Sequence, residues 1–112
     1  MKNAPIALVL LLFANLSLRG AQPLIRTVEG LVLDQHSHPV AHVAVQLEND
    51  WTLQIRSYIT QADGKYHFAG LDADYDYQLT AEYDGLRSHV RKLSKFDSRQ
   101  QPKIDLTIRF GK

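Results

Sequence analysis

Cysteine is absent from the chain. Its absence excludes disulfides, thiolate zinc sites, redox motifs and thiol nucleophiles together. Charge of one sign is also lacking: 13 Lys and Arg against 12 Asp and Glu give a formal net charge of +1. Recognition of nucleic acid or of an anionic membrane needs a clustered cationic excess, so neither is expected as a partner. No Gly-x-Ser-x-Gly elbow occurs, and no glycine-rich phosphate loop. Helical spacing of apolar residues is not sustained anywhere beyond the N-terminus. What remains, with 45% hydrophobic residues in 112, is material for one ordinary globular core.

The chain opens Met1-Lys2-Asn3 and continues as a nearly unbroken apolar stretch from Ala4 to Leu18. A charged start followed by a short apolar run is the pattern of a secretory signal peptide. At roughly 15 residues it falls short of the ~20 that span a bilayer, so removal rather than anchoring is expected, with no stable membrane span afterwards. Arg19 stands where small residues are preferred, and cutting after Gly20 or Ala21 divides the chain into a leader, residues 1–21, and a domain, residues 22–112. The expected location is periplasmic or secreted. No cysteine follows the run, which excludes lipid attachment there. The exported domain of about 90 residues must be held by its apolar core alone.

Beyond the leader, apolar residues recur at every second position, the period of a strand with one buried face. Val28, Gly30 and Val32 alternate with Glu29 and Leu31 before the turn-rich Asp34–Pro39 segment. Val43, Val45 and Leu47 share a face and end at Asn49-Asp50. A run from Gln54 to Thr60 precedes Asp63-Gly64, after which the chain returns as Tyr66, Phe68 and, past Gly70, Leu71; Tyr77, Leu79 and Ala81 then precede Asp84-Gly85. Asp-Gly pairs favour the positive φ angles of tight hairpins, so two hairpins are expected there. Leu86 to Leu93 follows, then a polar loop from Ser94 to Lys103, then a last strand with Ile104, Leu106, Ile108 and Phe110 on one face. Seven strands at intervals of about 8 to 12 residues predict an all-β, antiparallel Greek-key β-sandwich.

The order of these pieces resembles the carboxypeptidase regulatory-like domain, a transthyretin-like (prealbumin) sandwich. The first part reads Val28-Glu29-Gly30-Leu31-Val32-Leu33-Asp34, then Pro39 and the alternating strand to Leu47. Thr60, Asp63-Gly64, Tyr66-x-Phe68, Gly70-Leu71 and Tyr77-x-Leu79-x-Ala81 follow in the family's order. Gln61 stands where members carry Asp, and His38 where they carry Gly before the proline; both departures fall in turns. The resemblance, from Arg26 to Gly85, implies an accessory module with no catalytic residues and no cofactor. Such modules accompany peptidases, surface proteins and outer-membrane proteins, and some share a carbohydrate-binding-like fold.

A catalytic relative of the fold, the transthyretin-like hydroxyisourate hydrolase, carries a strand His-Val-Leu-Asp and a terminal Tyr-Arg-Gly-Ser. This chain has Leu31-Val32-Leu33-Asp34 and Arg109-Phe110-Gly111-Lys112 instead, so the polarising histidine and the tetrad are missing. A fold alone does not supply them. Of the five histidines, His36 and His38 could face one metal, but spacing fixes no third ligand and an exposed turn is the simpler reading; His67, between Tyr66 and Phe68, should face solvent, and His42 and His89 add no ligand pattern. Asp72, Asp74 and Asp76 start like a calcium loop, but Tyr77 and Tyr83 occupy its required Gly and Glu positions. No metal is expected.

Two surfaces remain as candidate binding sites. Trp51, beside Asn49 and Asp50 at a turn, is the only tryptophan. An exposed indole stacks on sugar rings; the competing role, a cap over one sandwich end, is favoured by the area an indole buries. Arg87, His89 and Arg91 alternate with Ser88 and Val90 and would form a cationic stripe on a strand, extended by Lys95. Such charges more often keep an edge soluble than bind a ligand. The expected function is a non-enzymatic module recognising an envelope protein or glycan. A structural envelope protein docked by its sheet edge is the alternative, and a small hydrolase a distant third.

Overall fold

The computed structural model describes residues 24–111; the leader assigned to residues 1–21 lies outside them. Eight strands follow in order: β1 (Ile25–Leu33), β2 (Ala44–Asn49), β3 (Ile55–Ile59), β4 (Lys65–Asp72), β5 (Tyr77–Tyr83), β6 (Leu86–Arg87), β7 (Arg91–Leu93) and β8 (Leu106–Thr107). They form two layers. One sheet runs β4-β1-β8; the other runs β3-β2-β5-β6, with β7 also paired to β5. Every second residue of β1 from Arg26 to Val32 is buried, and so are Val45, Leu47 and Asn49 of β2. The core joins Val28 and Val32 to Val43, Val45, Leu47, Tyr66, Phe68, Leu79 and Leu93, closed by Ile104, Leu106 and Ile108. This is the all-β sandwich that period-two patterning predicts.

Three details differ from the sequence expectation, each for a local reason. The expected sixth strand, Leu86 to Leu93, is broken into β6 and β7, which gives eight strands instead of seven. β5 pairs Glu82 with Arg87, but then Leu79 with Arg91, so one extra residue enters between the two registers. This is a β-bulge. Ser88 sustains it, its Oγ accepting the Ala81 N–H at 2.9 Å and its own N–H donating to the Ala81 carbonyl.

The second detail concerns the Asp-Gly turns. Asp84 and Gly85 have φ of 47° and 82°, and they close the β5–β6 hairpin as expected. Asp63-Gly64 does not close a hairpin, because β3 and β4 lie in different sheets. There the turn carries the chain across the sandwich, and the Gly64 carbonyl accepts the Val32 N–H at 2.8 Å. The third detail is that β8 runs parallel to β1, with Val32 opposite Leu106. The polar 94–103 loop brings the chain from one sheet to the other and returns it to the end where β1 begins, where Thr27 N–H donates to Gln100. The last segment therefore enters alongside β1 rather than against it.

Candidate functional site

Strand register separates the two candidate surfaces. Asn49, Tyr77 and Leu93 lie side by side at one end of the larger sheet, while Ala44, Glu82 and Arg87 lie at the other. Trp51 and Arg87 therefore stand at opposite ends.

The Arg87–His89–Arg91 stripe does not form. The bulge turns the strand over between β6 and β7: Arg87 sits opposite the exposed Glu82, and Arg91 opposite the buried Leu79. Arg87 pairs with Glu82 at 3.6 Å on the surface. Arg91 turns toward the other sheet and donates to the Asp105 carbonyl at 2.9 Å. His89 and Arg91 line a small crevice with Asp105, away from Arg87. An alternation count cannot see a bulge, which is why the stripe expected from spacing is absent from the fold.

The Trp51 end is assembled from three loops that lock one another. Asn49 is buried, and its side-chain Oδ1 accepts the N–H groups of Trp51 at 2.8 Å and Thr52 at 3.0 Å. This is an Asx turn, in which a side chain replaces a backbone acceptor. Asn49 thus shapes the loop through its side-chain oxygen. Asp50 N–H donates to the Asp76 carbonyl at 2.9 Å, and Asp76 Oδ1 accepts the Lys95 N–H at 2.6 Å. Asp76 therefore ties the 50–54, 72–76 and 94–97 loops together. Behind them the buried Arg26 donates to the Ser94 carbonyl at 3.0 Å and to Arg99 at 3.2 Å, anchoring the third loop to β1. Arg99 and Asp97 form a two-pronged ion pair, Nη2 to Oδ2 at 2.7 Å. The Arg99 guanidinium holds the Asp97 carboxyl far below the ordinary carboxylate range.

On this frame Trp51 is 80% exposed. The cap reading is thus overturned: the indole covers no core, because the Asx turn and the positive φ of Leu53, 63°, project the loop outward. Beside it a cleft of about 210 Å³ is lined by Asp50, Trp51, Asp74, Tyr75, Asp76 and Lys95. Asp74 and Lys95 also border a second cavity of about 340 Å³ against Arg26 and Ala73. Tyr75 borders a third of about 210 Å³ over Leu47 and Leu71. The three adjoin along one end of the sandwich. Asp50 carries an acceptor bond from Gln78 at 2.7 Å, which fixes its carboxylate at the rim.

Of the six residues proposed from sequence, Asp50 and Trp51 thus come together in a cleft, Asn49 supports them, and Arg87, His89 and Arg91 do not join them. The sequence shows Asp74 and Asp76 only as the failed start of a calcium loop and gives no sign of Tyr75, because nothing in local spacing reveals which loops meet. Among the described residues, no three His, Cys, Asp or Glu side chains come together to hold a metal ion. His36 and His38 stay on the exposed first turn, where both backbone N–H groups donate to Asp34, and His67 faces solvent.

The model of the carboxypeptidase regulatory-like domain family matches residues 27–109. Among curated proteins no sequence relative matches the chain. Similar solved structures include catechol 1,2-dioxygenase from Pseudomonas arvilla C-1, with a TM-score of 0.57 at 12% identity, covering 78% of this chain and 52% of that one. Chlorocatechol 1,2-dioxygenase from Pseudomonas putida gives 0.59 at 7% identity, covering 80% and 63%. The dioxygenase domain of a dioxygenase carbohydrate-binding protein fusion from Streptomyces sp. SirexAA-E gives 0.50 at 15%, covering 80% and 79%. The chain spans between half and two thirds of the first two enzymes, and at these identities the likeness is one of fold alone.

Proposed function

The chain belongs to the carboxypeptidase regulatory-like domain family, and from that premise we propose that it is a non-catalytic recognition module whose ligand is a neutral glycan of the cell envelope, held at the Trp51 end. The observation that carries this reading is an indole 80% exposed on a braced loop, next to the carboxylates of Asp50, Asp74 and Asp76. Sugars present apolar C–H faces and a ring of hydroxyls. A rigid aromatic stacks on the first, and carboxylate oxygens accept from the second. The adjoining cavities lengthen the surface beyond one ring, which suits an oligosaccharide. The cleft presents acceptors, aromatics and one ammonium, with no nucleophile bonded to a base, and this supports recognition over turnover. The apolar stretch Ala4–Leu18 supports a periplasmic or secreted location.

Affinity electrophoresis through gels containing neutral β-glucan, α-glucan, mannan or chitin fragments tests the reading. At least one polymer should retard the chain. Trp51→Ala should weaken that retardation at least about tenfold, and its thermal midpoint should stay near the parent's, because the indole makes no core contact. Arg87→Ala should bind normally. Retardation that survives Trp51→Ala, or that is lost with Arg87→Ala, places recognition elsewhere and rejects the proposal, as does mobility unchanged by every polymer.

A further inference from the structure

Among the described residues, the strand β3 is one edge of the larger sheet, and its only ladder partner is β2. That ladder is bracketed by Asn49 N–H donating to Gln54 and by Thr60 N–H donating to Val43. Antiparallel pairing alternates inward and outward amides, so Arg56 and Tyr58 turn their backbone groups to β2. Ile55, Ser57 and Ile59 turn theirs to solvent. The side chains of the same three residues lie on the outer face, and Ile55 and Ile59 are 54% and 57% exposed. Exposed edges are ordinarily guarded by lysine, proline, a bulge or an inward charge. β3 has no lysine, proline or bulge. Its one charge, Arg56, lies over the Phe68 ring at 5.6 Å and donates to the Ala69 carbonyl at 2.8 Å, so it bends back onto its own fold.

The strand reads Ile-Arg-Ser-Tyr-Ile, which is self-complementary about Ser57. We infer that β3 is an association edge for a second copy of this chain, the two β3 strands pairing antiparallel about a two-fold axis at Ser57. In that register Ser57 faces its own copy, and Ile55 faces Ile59 of the other strand at both ends. These are the residues whose amides point outward, so the pairing that matches side chains also makes backbone hydrogen bonds. Arg56 falls opposite Tyr58, and no like charges meet. The outer-face neighbours on β2 are Ala44, Gln46 and Glu48, so the isoleucines are an apolar pair on a largely polar face and gain cover only from a partner. A two-fold arrangement is the commonest closed assembly, and joining the edges ends their exposure. The inference is independent of the Trp51 reading, which uses other residues.

Sedimentation analysis of the whole chain across the micromolar range tests it. The parent should reach a dimer with a micromolar dissociation constant. Ser57→Pro removes an amide that the fold itself does not use, and should leave a monomer with unchanged circular dichroism. As a second arm that spares the backbone, Ile55→Lys with Ile59→Lys should be monomeric, as should Ile55→Glu with Ile59→Glu, while an equal mixture of the two should restore dimers. A parent that stays monomeric at hundreds of micromolar overturns the inference. So does a dimer that persists in the lysine variant, or a mixture that fails to associate.

Discussion

Asp97 accepts from Arg99 Nε at 3.0 Å and from Nη2 at 2.7 Å, and its carboxyl ionises far below the ordinary 3.8. The charged form is therefore favoured in the folded chain. Its contribution to stability is present at neutral pH and fades as pH falls from about 4 toward the folded-state value. Asp97→Asn should accordingly melt below the parent at pH 7, with the gap closing as pH is lowered through that window. Thermal unfolding followed from pH 7 to pH 2 reads this directly; a gap that stays constant would show the loss to be one of packing. The sequence marks Trp51 as singular, yet burial of a lone indole depends on the backbone around it. Here Asn49 Oδ1 and the positive φ of Leu53 decide in favour of exposure. Arg26, 5% exposed inside an apolar strand, carried no sequence signal, since only the folded 94–99 loop supplies its acceptors.

At the scale of elements, alternation proved sufficient wherever a strand is regular. β1, β2 and β5 bury the residues that period two selects, and the last segment buries Ile104, Leu106 and Ile108 as expected. Gly30 shows why the first strand needs a glycine: a Cβ there would lie 1.9 Å from the Ile104 carbonyl oxygen and 2.9 Å from the Tyr66 ring. That carbonyl also accepts the buried Tyr66 hydroxyl. Gly30→Ala should therefore cost about 3 kcal/mol by forcing the last segment off β1, read as a lowered denaturant midpoint; a loss within about 0.5 kcal/mol would mean that the segment yields freely. Alternation failed where one residue is inserted. The bulge at Ser88 reverses the face of every residue beyond it, which is why three basic residues at even spacing do not make a stripe. Asp63-Gly64 failed differently, because an Asp-Gly pair specifies a backbone turn but not which sheet the chain enters next.

For the whole molecule, the family and the two-layer sandwich were legible from turns and core positions, since these are written locally. The site was legible only in part. Trp51 and Asp50 stood out beside each other, while Asp74, Tyr75, Asp76 and Lys95 reach them through Asp76, whose carbonyl and carboxylate join three loops distant in sequence. The β3 edge likewise becomes meaningful only when the sheet order leaves it outermost. The central claim is that the braced Trp51 end receives a glycan, and the chain offers a direct probe because it has one tryptophan. Intrinsic fluorescence should be titrated with neutral gluco-, manno- and chito-oligosaccharides. The account predicts a red-shifted emission in the free chain that moves to the blue, saturably, with at least one of them. Emission already blue in the free chain, or unmoved by every sugar, would contradict it.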